Sequence, residues 1–255
     1  MVLTTVQSIA TQQSQNDNQM EQKMSTNKKT RTLIVVTSHD KLGTTGKTTG
    51  YYLPEVTHPY KALTEKGIVV DIASPKGGKA PLDPASLDLS DPVNKEFWED
   101  PATRAKLENS LALGAIDPAD YGAILFAGGH GTMWDFAESK PAQELIRGIY
   151  EAGGVVAAVC HGPATLVNAT LSNGEPLVKG KAIAGFSDAE EDAVGLTDVM
   201  PFLLESQLVL KGARYSKAPV WQTHVAVDGR LITGQNPASA RGVGAAVADA
   251  LNTEY

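Results

Sequence analysis

Four apolar runs of strand length punctuate the chain: Thr32-Leu33-Ile34-Val35-Val36-Thr37, Ile68-Val69-Val70-Asp71-Ile72-Ala73, Tyr121-Gly122-Ala123-Ile124-Leu125-Phe126 and Val155-Val156-Ala157-Ala158-Val159. They lack the strict apolar/polar alternation of a half-exposed strand, so they predict parallel strands buried on both faces. Helical stretches fall between them. One spans 51–66 and stops at Gly67, and another spans 138–152 and stops at Gly153-Gly154; both endings are helix C-cap signals. This β-α-β alternation predicts an α/β fold: a doubly wound, mostly parallel sheet sandwiched by helices. Sites in such sheets lie at the carboxyl ends of the strands.

Downstream, Ala182-Ile183-Ala184-Gly185-Phe186 reads as a further strand. Val220 to Val227, Asp228-Gly229 and Arg230 to Thr233 read as a hairpin closed by a type I′ turn. Ser239 to Leu251 reads as a small-residue amphipathic helix closing the fold. Residues 75–120 break the alternation with Pro75, Pro81, Pro84, Pro92, Pro101 and Pro118 and with short helical pieces around Phe97-Trp98 and Arg104 to Leu111. They are expected to form a small inserted cap region over the site, within a single domain covering 31–255. Residues 1–30, where glutamines lie among Ser, Thr and Asn, are expected to be a disordered N-terminal extension.

Composition narrows the function classes. A net charge of −7 without a basic block gives nucleic-acid binding little electrostatic support. No apolar run reaches transmembrane length, and no basic segment precedes a continuous apolar one as in a secretory leader. A single cysteine rules out an intrachain disulfide and a cysteine-built zinc site. It points to a reducing, cytoplasmic compartment, where a functional thiol stays active.

That cysteine, Cys160, ends the last of the four runs and is followed by His161-Gly162-Pro163-Ala164. A buried strand, a sharp turn carrying the nucleophile and a helix behind it make a nucleophile elbow, and the helix N-terminus is expected to favour thiolate. A lone cysteine is more often a small buried apolar residue; here the strand-to-helix position and the adjoining histidine favour a reactive thiol. The other strand ends carry further candidates. After the first run, 41–48 approaches a phosphate loop, but Lys41 stands where that loop requires glycine. Beyond it, Glu55 falls in a first helical turn, where a dipole-favoured surface charge is the plain alternative. After the third run come Gly128-Gly129-His130-Gly131. These glycines either serve a tight turn or bring backbone amides close to a ligand as an oxyanion hole, together with the amide of His161; His130 reads as a wall of the site. After Phe186, one of Glu190, Glu191 and Asp192 is placed to orient His161, unless the stretch is simply a solvated helix start.

Four segments then make the chain resemble the ThiJ/PfpI superfamily, in particular its heat-shock chaperone and glyoxalase III branch. They are Ala-Val-Cys-His-Gly-Pro-Ala at 158–164, Gly-Gly-His-Gly-Thr-Met-Trp-Asp at 128–135, Glu-Val-Thr-His-Pro-Tyr at 55–60 and Gly-Gln-Asn-Pro-Ala-Ser-Ala at 234–240. The resemblance runs from about Arg31 to Leu251 and implies a flavodoxin-like sheet. It also implies Cys160 as nucleophile, His161 as its base, Glu55 as the acid hydrogen-bonded to the sulfur and Glu191 as the third triad member. His224 is followed by Val225 and Ala226, so the His-x-Glu pair of the related glutamine amidotransferases is missing.

The activity implied is a glutathione-independent glyoxalase III acting on a small α-oxoaldehyde, without metal or other cofactor, in a homodimer. The alternatives are a protein or nucleotide deglycase using the same residues, a stress chaperone, or a redox sensor without turnover.

Overall fold

The computed structural model describes residues 31–252; the expectation for 1–30 lies outside them. The first half comprises β1 (Arg31–Val35), α1 (Pro54–Thr64), β2 (Val69–Ser74), α2 (Pro92–Glu99), α3 (Pro101–Glu108), β3 (Leu111–Ala112), β4 (Ala123–Phe126), α4 (Thr132–Asp135), α5 (Lys140–Glu151) and β5 (Val155–Val159). The second half comprises β6 (Ala182–Ile183), α6 (Asp188–Ala193), α7 (Leu204–Leu210), β7 (Arg214–Tyr215), β8 (Val225–Asp228), β9 (Leu231–Gly234) and α8 (Ala240–Asn252).

Seven strands form one sheet in the order β3-β2-β1-β4-β5-β9-β8, parallel except for β8 against β9. The direction in which strands are added across the sheet reverses between β1 and β4. From there β1-α1-β2 winds one way and β4-α5-β5 the other, so right-handed crossovers place α1 and α5 on opposite faces. Helix α8 packs on α1, β5 and β9. This is the predicted doubly wound, flavodoxin-like α/β sandwich. Its centre is as apolar as the sequence runs required: β4 and β5 are buried at every position, and β1 at all but its first. The switch point between β1 and β4 is the crevice where such folds place their ligands.

Two sequence expectations are corrected. The segment 182–186 contributes only Ala182–Ile183, paired with β7 in a separate two-stranded sheet. Its Ala184 amide is taken by the side chain of Thr233 and its Phe186 amide by the carbonyl of Cys160, which prevents a longer ladder. The hairpin is shorter than expected, because 220–224 is irregular and Asp228 pairs with Leu231, leaving Gly229-Arg230 as the loop. Only Gly229 has positive φ, +60°, which is the type II′ pattern and not the type I′ expected.

Residues 75–120 are tied into the sheet. Beyond supplying α2 and α3, they add β3 to its edge and bond Pro81 to the amide of Tyr51. With Ser38, Asp40 and Tyr51 they wall a cavity of about 510 Å³ that Cys160 does not line. The loop 41–48 folds on itself through a Lys41–Thr48 bridge.

Candidate active site

Strand β5 ends in a backbone turn that sets the sulfur. Cys160 has φ +59°, a left-handed conformation that a side chain rarely adopts. Its amide bonds Gly234 of β9, and its carbonyl accepts from Phe186, so neighbouring segments clamp both sides of the strained residue. The side chain is buried, at 3% exposure.

On one side stands Glu55, fully buried in the first turn of α1. The chain reaches it through a close stack of backbone: Tyr52 donates to the carbonyl of Gly128, and the amide of Gly128 donates 2.7 Å to Glu55 Oε2. A Cβ at Gly128 would lie 2.5 Å from that oxygen and 2.7 Å from the amide of His161. One at Gly129 (φ +100°) would lie 2.2 Å from the carbonyl of Gly50. Glycine is therefore required at both positions by close approach. Glu55 Oε1 has no conventional hydrogen-bond partner. Burial pushes this carboxyl up to about 8, against smaller opposing effects of the Cys160 thiol and the Gly128 amide. It is neutral at pH 7.

On the other side stands His161, also fully buried. Its Nδ1 lies 3.4 Å from Cys160 Sγ and its Nε2 lies 2.7 Å from Glu191 Oε2. A second histidine shares that acid, with His130 Nε2 3.0 Å from Glu191 Oε1. Burial opposes ionisation of Glu191, but the hydrogen bonds from His130 and His161 outweigh it and hold the acid down at about 2. An ionised carboxylate only accepts, so both imidazoles carry their protons on Nε2, and His161 Nδ1 is left as an acceptor facing the thiol. Burial, then the neighbouring His130, lower the basicity of His161 and keep it neutral. Its ring lies between His130 and Phe186, each 4.3 Å away between centroids.

The structure thus brings Cys160, His161, Glu55 and Glu191 together. It also separates the three neighbouring acids. Glu190 completes a capping box with Ser187 and accepts from Asn236 and from the amide of Trp221. Asp192 is exposed. Glu191 alone reaches His161.

Two expectations are corrected here. The amide of Gly128 is committed to Glu55 and is not free for an oxyanion, while the ring of His130 is committed to Glu191. Among the described residues, the amides of Gly129 and His161 make no hydrogen bond to another protein oxygen. The segment after Cys160 is a five-residue 3₁₀ helix, Gly162–Leu166, in place of the α-helix expected to favour thiolate. Burial, and next the neighbouring Glu55 carboxyl, instead push the thiol well up, with only the His161 amide drawing it down.

Sequence reasoning missed Asp135. It accepts from Thr37 Oγ1 and the Ser38 amide, both at 2.8 Å, and so ties the loop after β1 to α4. It also missed the sharing of Glu191 by two histidines. The S-x-x-E pattern at Ser187–Glu190 was the available signal that Glu190 was already engaged.

Comparison with known proteins gives a consistent picture. Residues 48–250 match the model of the DJ-1/PfpI family. Glyoxalase 3 of Candida albicans is 36% identical over 226 residues, covering 82% of this chain and 93% of that protein. The glutathione-independent glyoxalase HSP31 of Saccharomyces cerevisiae is 35% identical over 237 residues, covering 87% and 98%. Among solved structures, the Rapid Encystment Protein 24 KDa of Francisella tularensis superposes with a TM-score of 0.85 at 43% identity, covering 88% of this chain and 99% of that one. The crystal structure of glyoxalase III from Candida albicans superposes at 0.81 with 33% identity, covering 88% and 98%.

Proposed function

Because the chain belongs to the DJ-1/PfpI family, we propose that it is a glutathione-independent glyoxalase III, converting methylglyoxal to lactate through Cys160. The observation that carries this reading is the continuous line from Cys160 Sγ through His161 to Glu191, with the neutral acid Glu55 on the opposite side of the sulfur.

As sulfur attacks the aldehyde carbon, its proton passes to His161 Nδ1, and Glu191 stabilises the resulting imidazolium. The carbonyl oxygen becomes the hydroxyl of a hemithioacetal, its developing charge met by the amides of Gly129 and His161. A proton then leaves the former aldehyde carbon and one is delivered to the adjacent carbon, through an enediol, with His161 or Glu55 as the shuttle. The product is a lactoyl thioester on Cys160. Water cleaves it, releasing lactate and restoring the thiol. Oxidation of one carbon is balanced by reduction of its neighbour, so the route uses no nicotinamide, metal or glutathione.

The test is lactate release from methylglyoxal without added thiol. Turnover by the wild type and its loss in Cys160→Ala are expected; no product, or equal product from the variant, overturns the reading. The same reading carries a homodimer, checked by light scattering, and a cytoplasmic location, checked by fractionation. Among the described residues no helix is long and apolar enough to cross a membrane.

A further inference from the structure

His130, His161 and Glu191 form a second constellation within the site. One ligating atom from each lies within 4.8 Å of the others. Both imidazoles point Nε2 at the same carboxylate, at 3.0 and 2.7 Å, and each of those lines carries one proton. Two imidazoles and a carboxylate form the donor set of a borderline divalent ion, zinc foremost. We propose that this trio is an inhibitory site for a divalent transition-metal ion of the zinc class.

The local geometry supports insertion of one ion where the two Nε2–H···O bonds stand, with each imidazole moving its proton from Nε2 to Nδ1. Bonds of about 2.0–2.1 Å in a tetrahedral site separate the donor atoms by about 3.3 Å, so the two contacts to Glu191, at 3.0 and 2.7 Å, open slightly while the two Nε2 atoms, within 4.8 Å of one another, draw together. His130 can make that movement, since its side chain is 18% exposed and sits on the turn after β4, whereas His161 is fixed in the core. Glu190 does not compete, because its oxygens are held by Ser187, Trp221 and Asn236. Phe186 packs against both imidazole rings and shields the inner side.

The consequence for chemistry follows from the tautomer. An ion on His161 Nε2 displaces the proton held there, and the neutral ring then carries its proton on Nδ1. That nitrogen faces Cys160 Sγ. It can no longer accept the thiol proton, so the nucleophile loses its base. The sulfur is on the far edge of the ring from the ion and is not a ligand. The inhibitory part rests on the glyoxalase reading; ion binding does not.

The experiment is calorimetric titration of the full chain with Zn²⁺ and optical titration with Co²⁺. One ion per chain is expected, with cobalt ligand-field bands and no sulfur-to-metal charge transfer. Affinity should fall by about 100-fold in His130→Asn and in Glu191→Gln, and stay unchanged in Cys160→Ser. His130→Gln repeats the measurement should His130→Asn fold poorly by circular dichroism. Zn²⁺ should also suppress methylglyoxal turnover, with recovery on chelation. Absence of binding overturns the site. So does binding that survives loss of both His130 and Glu191, or a charge-transfer band that disappears with Cys160. Binding without loss of turnover overturns the inhibition alone, and an inactive chain that still binds cobalt separates this site from the glyoxalase reading.

Discussion

The two acids flanking Cys160 make an instructive pair. Both sit in the first turn of a helix, Glu55 on α1 and Glu191 on α6, and both are buried. Glu55 meets one amide and a sulfur, is pushed up to about 8, and stays neutral. Glu191 meets two imidazoles, is held at about 2, and stays charged. The helix position is the same, so it does not set the charge. What sets it is how strongly the donors answer burial: a thiol and one amide do not offset it at Glu55, whereas two imidazoles do at Glu191. Environments that drive two carboxylates apart fit them for separate tasks, here a neutral acid on one side of Cys160 and a charged one bonded to His161 on the other.

Breaking the charged side should have the largest effect. Glu191→Gln leaves His161 without a carboxylate on Nε2 and should lower kcat by about 10³-fold, as read by steady-state lactate formation, with the fold retained by circular dichroism. The neutral side is read from stability against pH. With a folded pKa of about 8 against an ordinary 4.5, Glu55 binds more protons folded than unfolded between those values. Its contribution is present below pH 4.5 and is lost as pH rises through 8. Glu55→Gln should flatten that decline in denaturant melts across pH 5–9. Glu191 has the opposite sign: its contribution is present above pH 4.5 and is lost as pH falls towards 2.

Gly128→Ala removes the one amide that Glu55 has by forcing a methyl to 2.5 Å from its oxygen. A cost of about 1–3 kcal/mol is expected, read as a lowered urea midpoint. The smallest kinetic effect is expected at the adjacent acid. Glu190→Gln should keep kcat within about threefold while losing about 1–2 kcal/mol of stability, because a glutamine that keeps its oxygen for Trp221 and Asn236 turns its NH₂ on the Ser187 amide, which loses its acceptor. A large kinetic loss there would erase the distinction between Glu190 and Glu191.

The legible parts of the molecule are those whose burial is complete. The runs at β1, β4 and β5 are apolar because both faces of the sheet are covered, and Cys160 stands out because it ends such a run. The strand predicted at 182–186 failed for a long-range reason: its amides beyond Ile183 go to Thr233 and Cys160, groups distant in sequence. Glu191 was reached through family resemblance, although the capping box that removes Glu190 is itself local and readable. His130 was seen as a wall because nothing in Gly-Gly-His-Gly indicates that its ring meets an acid 61 positions away. The commitment of the Gly128 amide to Glu55 was hidden for the same reason.

The burial of the chain's single cysteine has a practical use. A thiol-selective reagent larger than the aldehyde substrate has one cysteine to modify, so every molecule labelled marks an opening of the elbow or of the whole fold. Labelling rates followed as a function of denaturant would give the free energy of local opening without a mutation, a dye or any background to subtract. Saturating the site with a slow substrate analogue and repeating the measurement would convert the same sulfur into a binding gauge, in which affinity is read from the time the thiol stays hidden.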